Sequence, residues 1–305
     1  MCSPLSRPDA KQPDGRVFGI DRDLVDIFAG AGWRVGSAGP PKSLGVPSWA
    51  DGIVSVHRFS ENPGRHLFLF SDMATVDVDA DGREIGLFVK PLISSETVRH
   101  LLLDQILPRV LALEPLVIVH AAAVETDGAA FLMIGSSGSG KSTLAASFQA
   151  SGYELLGDDA VLIQQRANSF IGRAVYPSLR LREDSVREIF GSKANLRPVA
   201  DYLAKWSVQN VAADIAERPV QAILLIDPNA SDAVCVEPAA DAKGCMAILA
   251  QSFALDPTDS IRARDRLECA GELVRTIPTF NLTYPRDYGR LAEVRAAIID
   301  AISRR

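Results

Sequence analysis

The chain has 305 residues, is 47% hydrophobic and carries a formal net charge of −6 at neutral pH, with an isoelectric point near 5.3. That length suffices for one large domain or two modest ones. An acidic balance gives no general attraction to nucleic acid or to an anionic membrane, so neither is expected as a partner, and any anion has to be captured by a local site.

The four cysteines, Cys2, Cys235, Cys245 and Cys269, lie far apart and form no C-x-x-C pair. They suit free thiols in a reducing compartment better than a disulfide framework or a zinc site. The N-terminus is polar and proline-rich, with no apolar core of a signal peptide, and no later stretch approaches the roughly 18 apolar residues of a membrane span. A cytoplasmic location is the expectation, with residues 1–16 as a loose tail.

Along the chain, "HLFLF" and "ATVDVD" read as strands; in the second, Ala74, Val76 and Val78 alternate with Thr75, Asp77 and Asp79, the period of a half-buried strand. Asp81-Gly82 supplies a hairpin turn. Residues 17–94 thus form a small α+β region. A helix is expected from about Glu96, capped by Ser94 or Ser95, with Val98, Leu101, Leu102 and Ile106 on one face and Pro108 kinking or ending it. A boundary is placed near residue 95, so that 95–305 form the second domain. "PLVIVHAAAV" and "AAFLMI" read as two buried strands joined through an Asp127-Gly128 turn.

The second of these strands runs into Gly135-Ser136-Ser137-Gly138-Ser139-Gly140-Lys141-Ser142, a complete match to the phosphate-binding pattern G-x-x-x-x-G-K-[ST]. Glycines at these positions let backbone N–H groups turn inward around phosphate oxygens, and the following helix adds its N-terminal partial positive charge. "STLAASFQA" provides that helix, with Thr143 in its first turn and Gly152 as its C-cap. Lys141 is expected to reach the β- and γ-phosphates and the Ser142 hydroxyl to ligate Mg²⁺. The pattern alone does not choose among kinase, ATPase and GTPase, although no N-K-x-D run supports guanine selectivity.

Two acidic sites compete for the catalytic role. Asp227, closing "AILLID", is where an apolar strand would deliver a metal-binding aspartate in an ordinary P-loop ATPase; followed by Pro228, it also reads as a plain strand end. Asp158 and Asp159, 17 and 18 residues after Lys141, stand at the start of "AVLI". Read as strand residues they point to opposite faces, one towards the nucleotide, where it could accept the proton of an incoming hydroxyl. Read locally, "GDDA" is ordinary turn chemistry.

Further on, "AVYPSLRL" is strand-like, "EDSVREIF" helical, and 192–216 polar and irregular, a candidate mobile loop on the acceptor side. "VQAILLI" is an apolar strand. "LAEVRAAIIDAI" closes the chain as a helix with Leu291, Val294, Ile298 and Ile302 in a stripe facing the sheet. Arg180, Arg182, Lys205 and Arg286 are candidates for holding a transferring phosphoryl group or an acidic peptide, against the plainer reading of solvated charges. His57, His66 and His100 form no metal-ligand spacing.

The ordered set "VHAAAV", "GSSGSGKST" and "GYELLGDDAVLI", extending more weakly through "YPSLRLRED" to "NLTYPRDYGRLAEV", resembles the catalytic domain of HPr kinase/phosphorylase and its HPr kinase-like relatives, over roughly residues 95–305. The first 95 residues match no family. The resemblance implies an α/β P-loop kinase core related to phosphoenolpyruvate carboxykinase. It also implies transfer of a phosphoryl group from ATP, with Mg²⁺, to a serine hydroxyl of a peptide or small protein. Carried over residue by residue, it makes Asp158 the base on the acceptor hydroxyl. It gives Asp159 a supporting, metal-holding place with Ser142, and sets His120 near the phosphates, although a histidine ending a buried strand is more often a core residue. It allows a homo-oligomer. The chain departs from the bifunctional members at "SLRLREDS", which lacks their E-V-R-G-x-G run, so phosphorolysis and HPr itself as acceptor are not expected. It is closer to divergent relatives, including those that phosphorylate the C-terminal serine of a lasso-peptide precursor. A small-molecule kinase and a nucleotide-operated regulatory protein without an acceptor are the competing readings.

Overall fold

The computed structural model describes residues 34–38, 49–51, 54–58, 64–114, 116–191, 195–208, 216–227 and 232–304. The tail expected over 1–16 lies outside them. The chain divides into two compact units, residues 1–105 with 200–202, and 106–199 with 203–305. The division therefore falls inside the helical run, where the sequence placed it near 95.

The first unit contains a six-stranded sheet of β1 (Arg34–Ser37), β2 (Trp49–Asp51), β3 (Val54–Arg58), β4 (His66–Phe70), β5 (Ala74–Val78) and β6 (Glu84–Val89), in the order β1-β6-β5-β4-β3-β2. Strand β1 runs parallel to β6, and the other pairs are antiparallel. Ala74, Val76 and Val78 are buried, as their alternation requires. Helix α1 (Ser95–His100) starts at Ser94, whose hydroxyl accepts from Thr97 N. Asp201 reinforces that start by accepting from Ser94 N at 3.1 Å and from the Thr97 hydroxyl at 2.8 Å.

Pro108 does not end the helical run. The chain widens into a π-type turn over Leu101–Ile106 and continues as α2 (Leu107–Leu111), with Pro108 in its first turn. There the missing N–H has no helical partner to lose, and a widened turn is the known way to absorb an extra residue. Val98, Leu101, Leu102 and Ile106 are all buried, so the apolar face read from the sequence survives the change of pitch.

The second unit is built on a nine-stranded mixed sheet with two layers of helix, so each helix buries its apolar stripe against a sheet face. Its strands are β7 (Val117–Val119), β8 (Ala121–Thr126), β9 (Ala129–Ile134), β10 (Glu154–Gly157), β11 (Val161–Arg166), β12 (Ser169–Ala174), β16 (Arg218–Ile226), β17 (Cys235–Pro238) and β18 (Thr279–Thr283). The main path is β10-β8-β9-β16-β12-β11-β7, and β18 joins β16 to β17. Strands β9 and β18 flank β16, and both run parallel to it. Their carboxyl ends converge at one edge, the usual binding edge of such a sheet.

The run "PLVIVHAAAV" is two strands, not one. His120 sits at a bend between β7, which pairs with β11, and β8, which pairs with β9 and β10. Its N–H donates to Gln251 O at 2.8 Å, which fixes the bend. Strand β9 is buried on both faces. Phe131 and Met133 pack with Leu144 and Phe148 of α3 (Lys141–Ala150) and Val294 and Ile298 of the last helix. Leu132 and Ile134 pack with Leu273 and Val274 on the other side. Phe148 meets Phe131 and Tyr153 edge-on, each at 5.1 Å between centroids.

The helix expected over "EDSVREIF" is α4 (Glu183–Phe190). The 192–216 segment is not uniformly irregular: β14 (Leu196–Ala200) and β15 (Leu203–Val208) form a three-stranded sheet with β13 (Arg180–Leu181), in the order β13-β15-β14. Most of its side chains are exposed or half-buried, so no clean alternation marks it. Helices α5 (Asp241–Ala250) and α6 (Ser260–Thr276) carry no expectation from the sequence. The signals for α6 were Asp259, which accepts from Ile261 N and Arg262 N as its cap, and the Arg264–Glu268 pair. Helix α7 (Leu291–Ser303) buries Leu291, Val294 and Ile298 as expected. No described helix is long and apolar enough to cross a membrane.

At Gly157, the last residue of β10, a Cβ would lie 2.5 Å from the Ala174 Cβ of β12. Gly157→Ala should destabilise the protein by about 1–3 kcal/mol through overpacking. Urea unfolding checks this, and an unchanged midpoint would mean that β10 and β12 separate at little cost.

Candidate functional site

The loop between β9 and α3 adopts the backbone its glycines permit: Gly138 has φ +78° and Gly140 φ +103°, left-handed values that cost a side-chain-bearing residue energy. Gly135 is needed for space, since a Cβ there would meet the Ser139 hydroxyl at 2.7 Å and Ile226 O at 3.0 Å. The loop is thus threaded against the end of β16, whose last residue is Ile226. Lys141 is buried, and its ammonium donates to Gly135 O at 2.7 Å and Ser136 O at 3.2 Å. Burial pushes its pKa down, the charges of Asp158 and Asp159 push it back up, and Lys205 lowers it further.

The Asp158–Asp159 pair occupies the turn between β10 and β11 rather than a strand. The expectation of opposite strand faces therefore fails, because Asp159 takes φ +83° and the chain leaves the extended region. Asp158 is 1% exposed. Its carbonyl accepts from the Ser178 hydroxyl, and its Oδ2 accepts from Arg180 N at 3.4 Å. Burial drives its pKa up to about 7, helped by the adjacent Asp159 charge and opposed by the Ser142 hydroxyl and the Lys205 and Lys141 charges. The local "GDDA" turn reading is correct for the backbone, but the side chain is buried beside the P-loop residues rather than solvated.

Asp159 is paired with Arg180 at 3.4 Å and lies 3.9 Å from His120 Nε2. Arg180 is itself buried, its guanidinium 5.5 Å from the Tyr176 ring centroid. The structure therefore brings together Lys141, Ser142, Asp158, Asp159, His120, Arg180 and Lys205. It leaves Arg182 exposed at the residue preceding α4. Thr143 sits differently: its hydroxyl is 3.0 Å from Ser185 Oγ, which is 3.0 Å from Tyr288 OH, and that phenol donates to Asp184 Oδ2 at 3.1 Å. This chain ties the first turns of α3 and α4 to the segment after β18. Ser185, Tyr288 and Tyr284 are residues that sequence reasoning missed; "YPRDYGR" entered only as the weak end of the resemblance and through Arg286, and the tie is visible only once β18 is laid beside β16.

Asp227 follows β16, and its N–H donates to Leu282 O of β18 at 3.0 Å. Because Ile226 O lies 3.0 Å from where a Gly135 Cβ would stand, Asp227 begins beside the loop, as the metal-binding aspartate of an ordinary P-loop ATPase would.

The fit of ATP and Mg²⁺ can be read from unsatisfied atoms. Ser139 Oγ and Asp158 Oδ1 are buried without a hydrogen-bond partner, and Asp159 Oδ2 has none beyond its ion pair. Buried groups left so cost about 1–3 kcal/mol each, so their gathering around one loop marks a place for a polar ligand. Hydroxyl and carboxylate oxygens are the donors Mg²⁺ takes, with phosphate and water completing its shell.

These features define a P-loop α/β protein with two adjacent aspartates at its phosphate loop, Asp158 buried and Asp159 half-buried. No protein-family profile matches the chain. The HPr kinase/phosphorylase of Mycoplasmopsis pulmonis (strain UAB CTIP) is 39% identical over 65 residues, 21% of this chain and 21% of that protein, so the match spans about a fifth of the curated relative's length. The solved HPr(Ser) kinase/phosphatase from Coxiella burnetii is 14% identical, with a TM-score of 0.32, covering 60% of this chain and 95% of that one. The chain is thus locally similar to HPr kinase/phosphorylase, in agreement with the resemblance read from its motifs.

A carboxyl group whose pKa rises from 3.8 to about 7 on folding binds more protons in the native than in the unfolded state between those values. Its contribution to stability therefore falls as pH rises through that window. Asp158→Asn should stabilise the metal- and nucleotide-free protein by about 1–4 kcal/mol at pH 8, and the gain should shrink as pH is lowered to 5. Thermal melts of both proteins across this range check it; a pH-independent difference would place the Asp158 carboxyl in solvent.

Proposed function

We propose that the protein is an ATP- and Mg²⁺-dependent kinase of the HPr kinase-like type that phosphorylates a serine or threonine hydroxyl of a peptide or small protein. The observation that carries this reading is the burial of Asp158 beside Lys141 and Ser142, with a pKa near 7, the range a general base needs at neutral pH.

In this reading the backbone of residues 135–140, with Lys141, Ser142 and Thr143, positions the triphosphate, and Ser142 and Asp159 hold Mg²⁺, which neutralises phosphate charge when bound. Asp158 orients the acceptor hydroxyl and takes its proton as the acceptor oxygen bonds to the γ-phosphorus and the bond to the β,γ-bridging oxygen breaks, releasing ADP. Lys141 and Arg180 offset charge on the transferring group, with His120 near the phosphates and Lys205 beside Asp158 to help hold the phosphoryl group or an acidic peptide. Positioning and neutralisation are most of what phosphoryl transfer asks of a protein. A lasso-peptide precursor ending in serine and a homo-oligomer belong to this proposal through the resemblance alone, and a cytoplasmic setting through the cysteine usage and the polar N-terminus. A small-molecule acceptor such as free serine is the nearest variant.

A second reading, a nucleotide-operated regulatory protein without an acceptor, draws on the position of Asp227 beside Gly135. The two differ in which carboxylate matters. With labelled ATP, Mg²⁺ and a panel of serine-ending peptides, small carrier proteins and free serine, Asp158→Asn should lower transfer at least 100-fold, while Asp227→Ala retains measurable transfer. Turnover lost in Asp227→Ala but kept in Asp158→Asn, with no acceptor labelled, would establish the regulatory reading instead.

A further inference from the structure

The segment that leaves β18, Tyr284 to Arg290, lies across the phosphate loop and is fastened along its length. Tyr284 is buried, and a Cβ added at Gly140 would collide with its hydroxyl and lie 2.9 Å from a terminal guanidinium nitrogen of Arg286. That Arg286 nitrogen donates to Gly138 O at 3.3 Å, and the guanidinium sits 5.7 Å from the Tyr284 ring centroid. Asp287 accepts from Gly289 N at 2.8 Å, and Tyr288 is tied to Ser185 and Asp184 on α4. Arg290 is held by Glu293 and by Asp232 O.

Gly140 is therefore doubly required, for its left-handed backbone and for the closeness of this strap. The loop has a cation at each end: Lys141 on the carbonyls of Gly135 and Ser136, and Arg286 on the carbonyl of Gly138. A carbonyl is a weak partner for a guanidinium compared with a phosphate, whose oxygens match the guanidinium fork. The Tyr284 ring lies against the guanidinium, whose edge donors point along the loop, the direction from which a bound phosphate would accept.

We propose that Arg286 is a phosphate-binding residue of the nucleotide site, held over the loop by Tyr284 and the strap, and that it exchanges the Gly138 carbonyl for a phosphate oxygen of a bound nucleoside polyphosphate. The proposal rests on the nucleotide-binding reading above, and it adds a residue 145 positions downstream of Lys141 that no part of the P-loop pattern includes.

The test is equilibrium binding of ATP and of inorganic tripolyphosphate, each with Mg²⁺, to wild type, Arg286→Ala, Arg286→Lys and Tyr284→Phe, with circular dichroism confirming that each is folded. Arg286→Ala should weaken ATP and tripolyphosphate by the same factor, at least tenfold, because the contact is to phosphate and not to base or ribose. Arg286→Lys should recover only part of the loss, since an ammonium lacks the fork. Tyr284→Phe, which keeps the ring beneath the guanidinium, should stay within threefold of wild type and shows that the strap tolerates change without unfolding. Affinities of Arg286→Ala within twofold of wild type would overturn the proposal, as would a loss confined to ATP, which would move the contact to the nucleoside. Failure of wild type to bind either ligand would instead overturn the nucleotide reading itself, and this proposal with it.

Discussion

The burial of one carboxyl group, Asp158, organises the site. An ionised carboxylate is costly to take out of water unless hydrogen bonds or opposite charges replace the lost solvation. Here they replace it in part: Arg180 N reaches Oδ2 and the Ser142 hydroxyl and the Lys205 and Lys141 charges favour the ionised form, while Oδ1 has no hydrogen-bond partner among the described residues. A group held in that way rests near its proton-binding midpoint, which explains the rise to about 7. The surrounding chain makes this burial geometrically possible. Gly157 lets β10 end against β12, Asp159 turns through a left-handed conformation, and Ser178 holds the Asp158 carbonyl. Stability lost at such a position is the usual mark of a group kept for chemistry.

The charges around it form a balanced set. Burial lowers the Lys141 pKa and the two aspartates offset it only in part, and Asp159 is tied to Arg180. Adding a polyphosphate to the loop changes that balance, because the lysine then has phosphate oxygens to replace two backbone carbonyls. The loop is also fixed by parts of the chain outside the P-loop pattern. Ile226 crowds it on one side, Tyr284 and Arg286 on another, and the Thr143–Ser185–Tyr288 hydrogen bonds anchor the helix that follows. A preorganised cradle loses less conformational freedom on binding than a mobile loop would.

What could be read from the sequence was local. The phosphate loop, β9, α3 and the Asp127-Gly128 turn follow from short-range pattern, and all are present; the turn shows φ +54° and +80° at its two residues. The Leu291–Ser303 stripe was legible for the same reason. The bend at His120 was not, because an uninterrupted apolar run looks alike whether it stays in one strand or passes between two partners. The β14–β15 hairpin escaped notice because its side chains are too exposed to alternate. In the site, the identity of Asp158 and Asp159 was legible but their geometry was not: nothing in "GDDA" reveals that the second aspartate takes a positive φ and the first is buried. Arg286 was legible as a candidate cation, but its place over the loop beside Tyr284, and the tie through Tyr288, were not, since parallel pairing of β18 with β16 is what carries them there.

Two aspartates stand near the same loop, and their surroundings differ in a way that separates their roles. Asp227 begins where β16 ends, half-buried, with its backbone bonded to β18. Asp158 is closed off from solvent and surrounded by Lys141, Ser142, Lys205 and a second carboxylate. A metal ligand gains from being ionised at all working pH values, whereas a group that must take a proton and give it up gains from a pKa near neutrality. The environment of Asp158 produces the second condition, and it does so through burial first and the neighbouring charge second. The β10–β11 turn therefore places, within two residues and beside the phosphate loop, a buried carboxyl raised to about 7 and the neighbouring aspartate that helps to raise it.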